Sequence, residues 1–275
     1  MDRNFDPLTP GIGTEIVGVD LATITPSEMQ SIKRLLQERL VLIFRDQRLA
    51  REQHKALGRQ FGMGVLHRHT CAERAGVDPE ILPVKSSGRP LYESTAGWRA
   101  DLTSERNPIS TSLLYLLEPP QGGGGDTVFV NMYRAYETLS DPLKELVGKL
   151  SAIHLGSGPW KDAFGKREAK PVLRTTEHPV VAKHPETGRK LLWVNRGYTT
   201  RLLGVSALEG RHLLETLFHH IESNPELQCR VRWRANTLVV WDNVATQYYS
   251  CWDYHPSTSY GEWVSSVGYA LEAAR

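Results

Sequence analysis

Two histidines, at positions 67 and 69, have the type and spacing that most readily suggest chemistry in this 275-residue chain. They flank Arg68, so both imidazoles lie on one side of the backbone if the segment is extended. Such a pair can bind a metal ion or an anionic group. An equally good interpretation is that His67 and His69 are partly buried at the edge of a strand. The residues alone leave both interpretations open.

Signatures of hydrolases and of phosphate-binding enzymes are absent from the sequence. It contains no His-Glu-x-x-His segment, no Gly-x-Ser-x-Gly turn and no cysteine–histidine nucleophile pair. The glycine run 122–125 leads into a predicted strand, whereas a phosphate-binding glycine loop leads into a helix. The 3 cysteines lack the spacing of a zinc site or a disulfide framework. These motifs therefore predict neither hydrolysis nor nucleotide binding.

The composition is that of an ordinary globular domain. The 33 Lys and Arg residues nearly balance the 31 Asp and Glu residues, and the net charge is +2. No apolar run approaches the length of about 18 residues that a membrane span requires. The N-terminal segment lacks the basic and apolar regions of a secretory signal. We therefore predict one domain over residues 1–275 that is cytoplasmic and has no nucleic-acid or membrane partner.

Short strands and a few helices must position any site in this chain. Apolar residues at helical spacing predict helices over 26–40, 51–61, 140–150 and 206–222. Compact apolar runs predict strands over 14–19, 40–44, 112–117, 127–131, 179–182, 190–194, 230–233, 237–241 and 263–271. Strands 112–117 and 127–131 are predicted to form a hairpin, and the unpatterned segment 156–177 is predicted to be a lid or insertion. This pattern predicts a mainly β, α+β architecture: an antiparallel barrel or sandwich with helices on one side.

Eight segments of the chain resemble the TauD/TfdA family in order and spacing. They are Val41–Gln47, Gln60–Gly62, Leu66–His69, Gly124–Thr127, His178–Val181, Val194–Thr199, Val231–Trp233 and Trp241–Asn243. This family comprises iron(II)- and 2-oxoglutarate-dependent dioxygenases, and the resemblance covers essentially the whole chain. It implies a double-stranded β-helix, or jelly roll, with flanking helices. The segments are most similar to fungal members, which suggests a role in secondary metabolism.

The resemblance also implies a site for iron, built from a His-x-Asp pair and a distant histidine. The matching stretch here is Gly97-Trp98-Arg99-Ala100-Asp101, with arginine in the place of the first histidine. Arginine has no lone pair to donate and stays protonated. We therefore expect Asp101 to pair with Arg99 rather than to bind iron.

The distant histidine and the arginine that binds the cosubstrate are also missing. The best alignment of the last strand places Tyr260 at the histidine position, and a gapless alignment places Glu262 there. Trp263 or its neighbours stand where the family has the arginine. Thr127, which in the family helps to hold the cosubstrate carboxylate, is retained. The sequence therefore predicts that the chain uses neither a metal nor another cofactor.

A metal-independent enzyme is the function that these substitutions favour. Its substrate would be a small organic molecule, and its reaction would be redox-neutral: a cyclisation, a pericyclic reaction, an isomerisation or an elimination. The predicted catalytic residues are Arg99, Asp101, Tyr260 and His67. The predicted substrate-binding residues are Trp98, His69, Thr127, Asn195, Tyr198, Glu262 and Trp263.

Three alternatives to this prediction stay open. The chain could be a dioxygenase with relocated iron ligands, for example His67, His69 and Asp101. It could be a non-catalytic partner that stabilises an active homologue, and homo-oligomerisation is compatible with the sequence. Finally, Arg99 and Asp101 could form a buried ion pair that merely fills the former metal site.

Overall fold

The computed structural model describes residues 5–69, 73, 76–85, 97–156 and 174–274. The chain folds as a mainly β protein with the jelly-roll architecture that the sequence predicts. A seven-stranded sheet forms one layer, and three sheets of three strands each complete the β structure of the described residues. No helix in the described part is long and apolar enough to cross a membrane.

The seven-stranded sheet contains the two longest strands of the described residues, Ile109–Glu118 and Tyr260–Val267, as neighbours. In spatial order it contains β1 (Phe5–Pro7), β2 (Thr14–Ile16), β3 (Val41–Phe44), β13 (Thr237–Asp242), β5 (Ile109–Glu118), β15 (Tyr260–Val267) and β4 (Leu82–Lys85). Its neighbours are antiparallel, except that β2 and β3 are parallel.

Three smaller sheets contain the remaining strands. The first joins β10 (Lys190–Leu192), β9 (Val181–Lys183) and β16 (Glu272–Ala273). The second joins β11 (Thr199–Leu203), β7 (Ser151–Leu155) and β8 (Thr175–Pro179). The third joins β12 (Gln228–Val231), β6 (Thr127–Asn131) and β14 (Thr246–Ser250).

Five α-helices flank the sheets in the described part: α1 (Pro26–Arg39), α2 (Arg51–Gly58), α3 (Met132–Glu137), α4 (Asp141–Val147) and α5 (Ala207–Glu222). Helix α1 begins at a capping box, in which Thr25 accepts from the Glu28 amide and Glu28 accepts from the Thr25 amide. Its buried residues are spaced so that one side of the helix faces the sheet.

The seven-stranded sheet is buried on both faces, and its strands alternate between two hydrophobic clusters. Trp241 and Trp263 belong to the cluster between the sheets. Val240 and Val264, their neighbours in sequence, belong to the cluster under α1 and α2. Successive side chains of a strand point to opposite faces, which is why a strand buried on both faces is a continuous apolar run such as Val41–Phe44. The same alternation decides which polar residues reach the site.

Two features of the fold differ from the sequence prediction. The predicted hairpin between 112–117 and 127–131 is wrong, because β5 and β6 lie in different sheets. Between them, Gly122, Gly123, Gly124 and Gly125 all have positive φ, so this segment crosses between layers instead of turning back on β5. Strands β1, β4, β7, β11, β14 and β16 and helix α3 were not predicted. Most of the predicted lid, 157–173, lies outside the described residues, and its last residues belong to β8.

Candidate functional site

An isolated backbone pairing positions the first residue of the site. Arg99 and Tyr248 exchange two hydrogen bonds: the Arg99 amide donates to the Tyr248 carbonyl (3.1 Å), and the Tyr248 amide donates to the Arg99 carbonyl (2.8 Å). The segment around Arg99 therefore continues the small sheet along the free edge of β14. Directly paired residues point to the same face of a sheet, so both side chains enter the space between the layers.

Arg99, Tyr248 and Asp101 form a hydrogen-bonded chain there. The Tyr248 hydroxyl donates to Asp101 Oδ1 over 2.7 Å and accepts from Arg99 Nε over 3.1 Å. The guanidinium carbon lies 4.6 Å from the centre of the Tyr248 ring, within the range of a cation–π contact. The direct Arg99–Asp101 ion pair expected from the sequence is not formed, because the tyrosine hydroxyl lies between the two charges. We call these three residues the Arg99 group.

Neighbouring elements hold Asp101 in place from two sides. Its backbone is clamped by Asn243, whose Oδ1 accepts from the Asp101 amide (2.8 Å) and whose Nδ2 donates to the Asp101 carbonyl (3.1 Å). Its second carboxylate oxygen accepts from Ser112 Oγ on β5 over 3.2 Å. Asn243 lies in the turn that connects β13 of the seven-stranded sheet to β14 of the small sheet, so one connection between the layers supplies both Tyr248 and the support for Asp101.

Burial controls the protonation of the Arg99 group. It raises the pKa of Asp101 to about 6, although the Tyr248 hydroxyl and the Arg99 charge act in the opposite direction. Burial likewise raises the pKa of Tyr248 well above its usual value near 10, so the phenol stays protonated and remains a donor. Asp101 can therefore exchange a proton close to neutral pH, whereas Tyr248 keeps its phenol proton.

Two predicted site residues, Tyr260 and Glu262, lie on the opposite face of the seven-stranded sheet. The Tyr260 hydroxyl donates to Glu262 Oε1 (2.9 Å), and Arg51 of α2 donates to the same oxygen (2.6 Å). Trp263, one residue further, faces the site, with its ring centre 6.1 Å from that of Tyr248. Placing Tyr260 or Glu262 beside Arg99 was therefore wrong, because strand alternation directs both toward the helices. The residue that joins Arg99 and Asp101 is Tyr248 instead.

Two further predicted substrate contacts have other partners. The Trp98 ring packs on Tyr249, with ring centres 5.9 Å apart. Trp98 and Tyr249 each neighbour a member of the Arg99 group in sequence, so they point to the other side of the small sheet. The Thr127 hydroxyl accepts from Trp233 Nε1 over 3.0 Å.

The two predicted histidines, His67 and His69, lie together and are half-buried. The ring centres of His67 and His69 are 4.8 Å apart, with the rings nearly perpendicular. Burial lowers the pKa of His67, and burial together with His67 lowers the pKa of His69 to about 3, so both rings are neutral near pH 7. His69 Nε2 is buried and has no hydrogen-bond partner among the described residues. Within that part of the chain, no three His, Cys, Asp or Glu side chains cluster to hold a metal, so His67, His69 and Asp101 do not form the relocated iron site.

A second polar network begins two residues after Asp101. The Thr103 hydroxyl bonds His154 Nδ1 (2.9 Å) and accepts from Asn195 Nδ2 (3.2 Å), while Asn195 Oδ1 accepts from the Tyr198 amide (2.9 Å). Asn195, a predicted substrate contact, thus fixes the loop that follows Asp101. Tyr198 is buried, and its hydroxyl acts electrostatically on both Arg99 and Tyr248.

A cavity of about 310 Å³ lies away from the Arg99 group, at the end of β13. Its wall includes His184, whose Nε2 is 3.1 Å from Asp242 Oδ2. His184 Nδ1 accepts from the amides of Glu186 and Thr187, each over 3.2 Å. Both ring nitrogens are engaged, so this histidine has no free lone pair for a metal or a substrate.

Comparison with known proteins identifies the family. The family described as "Taurine catabolism dioxygenase TauD, TfdA family" matches residues 4–260. The chain belongs to the TauD/TfdA family. The resemblance seen in the sequence is thereby confirmed.

Individual members of the TauD/TfdA family are similar over nearly the whole chain. An alpha-ketoglutarate-dependent dioxygenase, cnsM, of Penicillium expansum is 32% identical, over 91% of this chain and 74% of its own. An alpha-ketoglutarate-dependent 2,4-dichlorophenoxyacetate dioxygenase of Cupriavidus pinatubonensis is 30% identical, over 86% and 88%. The crystal structure of a taurine dioxygenase from Burkholderia xenovorans superposes with a TM-score of 0.83 at 33% identity, covering 98% of this chain and 90% of the other. The relatives are named as dioxygenases that act on small organic molecules.

The donor chemistry of the Arg99 group does not fit the iron of the TauD/TfdA family. The family's centre requires two imidazoles and a carboxylate with lone pairs directed at one metal ion. Here Arg99 offers a positive charge and no lone pair, and Tyr248 is a protonated phenol that donates to Asp101. Asp101 is the one anionic ligand left, and both of its oxygens already accept hydrogen bonds. This set repels a dication rather than coordinating it.

Tyr248 and Asn243 are the site residues that sequence reasoning missed. Both follow from one unrecognised element, β14, whose sequence Thr246–Ser250 is too polar to stand out as a buried strand. One feature of the sequence could have revealed them. Asn243 ends the segment Trp241-Asp242-Asn243 and Tyr248 follows it closely, at a tight turn of the chain. A strand returning from that turn places Tyr248 against the layer that contains Arg99.

Proposed function

We propose that this chain is an enzyme that converts a small organic molecule by a redox-neutral reaction at the Arg99 group, without iron or 2-oxoglutarate. The observation that carries the proposal is the Tyr248 hydroxyl, hydrogen-bonded to both Arg99 and Asp101 at the place where two ligands would have to face a metal. A plug that only filled an old cavity would need no proton-exchanging group. The raised pKa of Asp101 provides one.

The roles follow from the charges and donors of the group. Asp101, with its pKa near 6, can accept a proton from a substrate carbon or oxygen and return it at another atom. The Arg99 guanidinium stabilises negative charge that develops on a substrate oxygen. Tyr248 keeps Asp101 oriented and supplies a neutral donor. Removal and return of one proton leaves no net oxidation, so isomerisation and elimination suit the group best, and a cyclisation needs only the polarisation by Arg99.

The names of the relatives support a small organic substrate. The relative from Cupriavidus is named for 2,4-dichlorophenoxyacetate and the Burkholderia structure for taurine. We extend only the molecular size and the organic nature of these compounds to this chain. A place in secondary metabolism stays a prediction of the sequence.

A second candidate function, an iron(II)- and 2-oxoglutarate-dependent dioxygenase, is favoured by the relatives themselves, which are named as such. It requires ligands other than the Arg99 group. The two candidates differ in whether iron is needed for turnover.

Metal content and cosubstrate use decide between them. The purified protein is loaded with iron(II) under argon, desalted and assayed for bound iron, then supplied with 2-oxoglutarate, oxygen and either taurine or 2,4-dichlorophenoxyacetate. We expect less than about a tenth of an iron per chain and no succinate above the background of protein-free controls. One iron per chain with succinate formation coupled to substrate loss would replace the first proposal by the second.

Turnover without metal is tested on a mixture of small metabolites in excess EDTA. Mass spectrometry compares the wild type with Asp101→Asn and with the matched control Glu262→Gln, which removes a carboxylate from the other face of the sheet. We expect the wild type and the control to convert a compound into a product of equal mass, or of that mass less a small neutral leaving molecule, and Asp101→Asn to lose at least about 100-fold in rate. Unchanged turnover in Asp101→Asn, or no conversion by the wild type, would contradict the proposal, and the latter would favour a non-catalytic partner.

A further inference from the structure

Arg99 has hydrogen-bonding capacity that the Arg99 group does not use. Its Nε donates to Tyr248, and its Nη1 donates to the Gly97 carbonyl over 3.3 Å. Its Nη2 has no hydrogen-bond partner among the described residues, and the side chain is half-buried. A guanidinium presents its donors in one plane as a fork, which matches the two oxygens of a carboxylate or sulfonate.

Among the described residues, the positive charge of Arg99 has no direct counter-ion. Asp101 is reached only through the Tyr248 hydroxyl, and no salt bridge links Arg99 to Asp101. His154 of β7, which bonds Thr103 in the loop after Asp101, is neutral because burial lowers its pKa to about 3. Arg174, just before β8, is already paired with Glu105 of that loop. A positive charge that is half-buried and has no direct partner is costly unless an anion joins it.

A second unpartnered donor lies beside the Arg99 group. Trp241 is buried, with its ring centre 5.7 Å from that of Tyr248. Its Nε1 is buried and finds no acceptor in the part of the chain that the structure describes. Buried donors are normally satisfied, so this one also indicates that an acceptor-bearing molecule belongs here.

We infer that the guanidinium of Arg99 replaces the metal as the anchor of the substrate, and that it binds an organic anion, a carboxylate or a sulfonate, through Nη2. The inference rests on the proposed function only for what happens to the bound molecule. It adds the chemical class of the ligand and the atom that holds it.

Binding of the anion is coupled to the protonation of Asp101. Among the described residues, the titratable or charged groups that face Asp101 and Arg99 are Tyr248, Tyr198 and each other. Tyr248 keeps its proton, so a bound anion adds a negative charge next to a carboxylate whose pKa is already about 6. Repulsion between the two negative charges makes Asp101 take up a proton on binding. The affinity for the anion therefore rises as the pH falls from 8 to 5.

The first experiment is calorimetric titration in EDTA with butyrate, propane-1-sulfonate and the neutral analogue butyramide. We expect the two anions to bind and butyramide to bind at least about 10-fold more weakly. Arg99→Gln should weaken anion binding by about 10- to 100-fold, the usual effect of losing a charge-assisted hydrogen bond.

Arg189→Gln is the matched control. Arg189 also lies over a tyrosine ring, 3.9 Å from the centre of Tyr133, and also pairs with a carboxylate, Glu137, over 2.9 Å. Its loss should leave anion affinity unchanged. The inference is overturned if Arg99→Gln and Arg189→Gln bind the anions equally, if butyramide binds as well as butyrate, or if neither anion binds the wild type at 10 mM (on the order of 3 kcal/mol of binding).

The second experiment repeats the propane-1-sulfonate titration at pH 5 and pH 8, because the sulfonate does not titrate in this range. We expect binding to the wild type to be at least about 10-fold tighter at pH 5, and Asp101→Asn to bind with equal affinity at both. A purely structural role of Arg99 would not produce a pH dependence that Asp101→Asn removes. Equal affinity of the wild type at both pH values would refute the coupling between anion binding and protonation of Asp101.

The two proposals fail in different ways. Anion binding through Arg99 without any turnover in EDTA would refute the proposed enzyme and keep this inference. Turnover that depends on Asp101 but not on Arg99 would keep the proposed enzyme and refute anion binding through Arg99.

Discussion

An arginine, a tyrosine and a carboxylate lie together on each side of the seven-stranded sheet, and the two groups behave differently. Between the layers, Tyr248 separates Arg99 from Asp101, and the acid is 2% exposed. On the helix side, Arg51 donates directly to Glu262, with its own side chain 58% exposed.

Solvent and geometry account for the difference. Arg51 is largely hydrated, so its direct ion pair is screened and contributes little to stability. Asp101 is buried with an intervening hydroxyl and no direct counter-ion, which favours its neutral form and raises its pKa to about 6. The same three residue types therefore make a direct ion pair with a hydrated arginine on one side of the sheet and a proton-exchanging group on the other.

The largest contrast should come from rebuilding a metal centre. The double substitution Arg99→His with Tyr248→His supplies two imidazoles next to Asp101, whose orientation Asn243 and Ser112 already fix. We expect one cobalt(II) per chain, with a dissociation constant in the micromolar range or below, about 8 kcal/mol of binding, measured by the visible absorption of cobalt.

The matched control places two histidines around Glu262 instead, as Arg51→His with Tyr260→His. That site is open to solvent at Arg51, so we expect binding at least about 100-fold weaker. Equal cobalt affinity in the two double variants would show that the Arg99 group does not retain the shape of the family's metal site.

Neutralising the acids should change stability in opposite directions on the two faces. The pKa of Asp101 is higher in the folded than in the unfolded chain, so folding binds a proton between about pH 4 and 6, and the contribution of Asp101 to stability falls as the pH rises through that window. Asp101→Asn mimics the protonated form. It should therefore be more stable than the wild type by about 2–3 kcal/mol at pH 8 and about equal at pH 4, as measured by urea unfolding.

Glu262→Gln, by contrast, loses an ion pair whose arginine is largely exposed and should be less stable than the wild type by up to about 1 kcal/mol. A destabilised Asp101→Asn at pH 8 would mean that Arg99 and Asp101 are a stabilising ion pair. The hypothesis of a structural plug would then gain support.

Removing single hydroxyls should have the smallest effects. Tyr248→Phe leaves Asp101 Oδ1 without its donor and should lower the free energy of unfolding by about 1–3 kcal/mol. Tyr260→Phe removes a half-exposed hydroxyl and should cost less than about 0.5 kcal/mol. The two variants are compared at one pH by urea unfolding, and equal costs would argue that the Tyr248 hydrogen bonds are not formed in solution.

The amino-acid pattern by itself determined the family and the fold class. Local information sufficed for this, because apolar runs such as Val41–Phe44 identify buried strands and the motifs recur in fixed order. It also placed Arg99 and Asp101 on one side of an extended segment, where alternation is a local property. The arginine at position 99, where the family resemblance leads us to expect a histidine, is therefore readable without any structure.

The third member of the group was decided only by tertiary structure. Tyr248 is 149 residues from Arg99 in sequence, and nothing local links them. Its place depends on the strand β14 returning from the Asn243 turn and on the pairing of Arg99 with Tyr248. Whether Tyr260 or Glu262 joins the site depends on which face of β15 they occupy, and a shift of one residue reverses that face. Sequence alignment did not fix the register of β15 to a single residue. Close packing of the two layers fixes it, because only one register buries Trp263 between them.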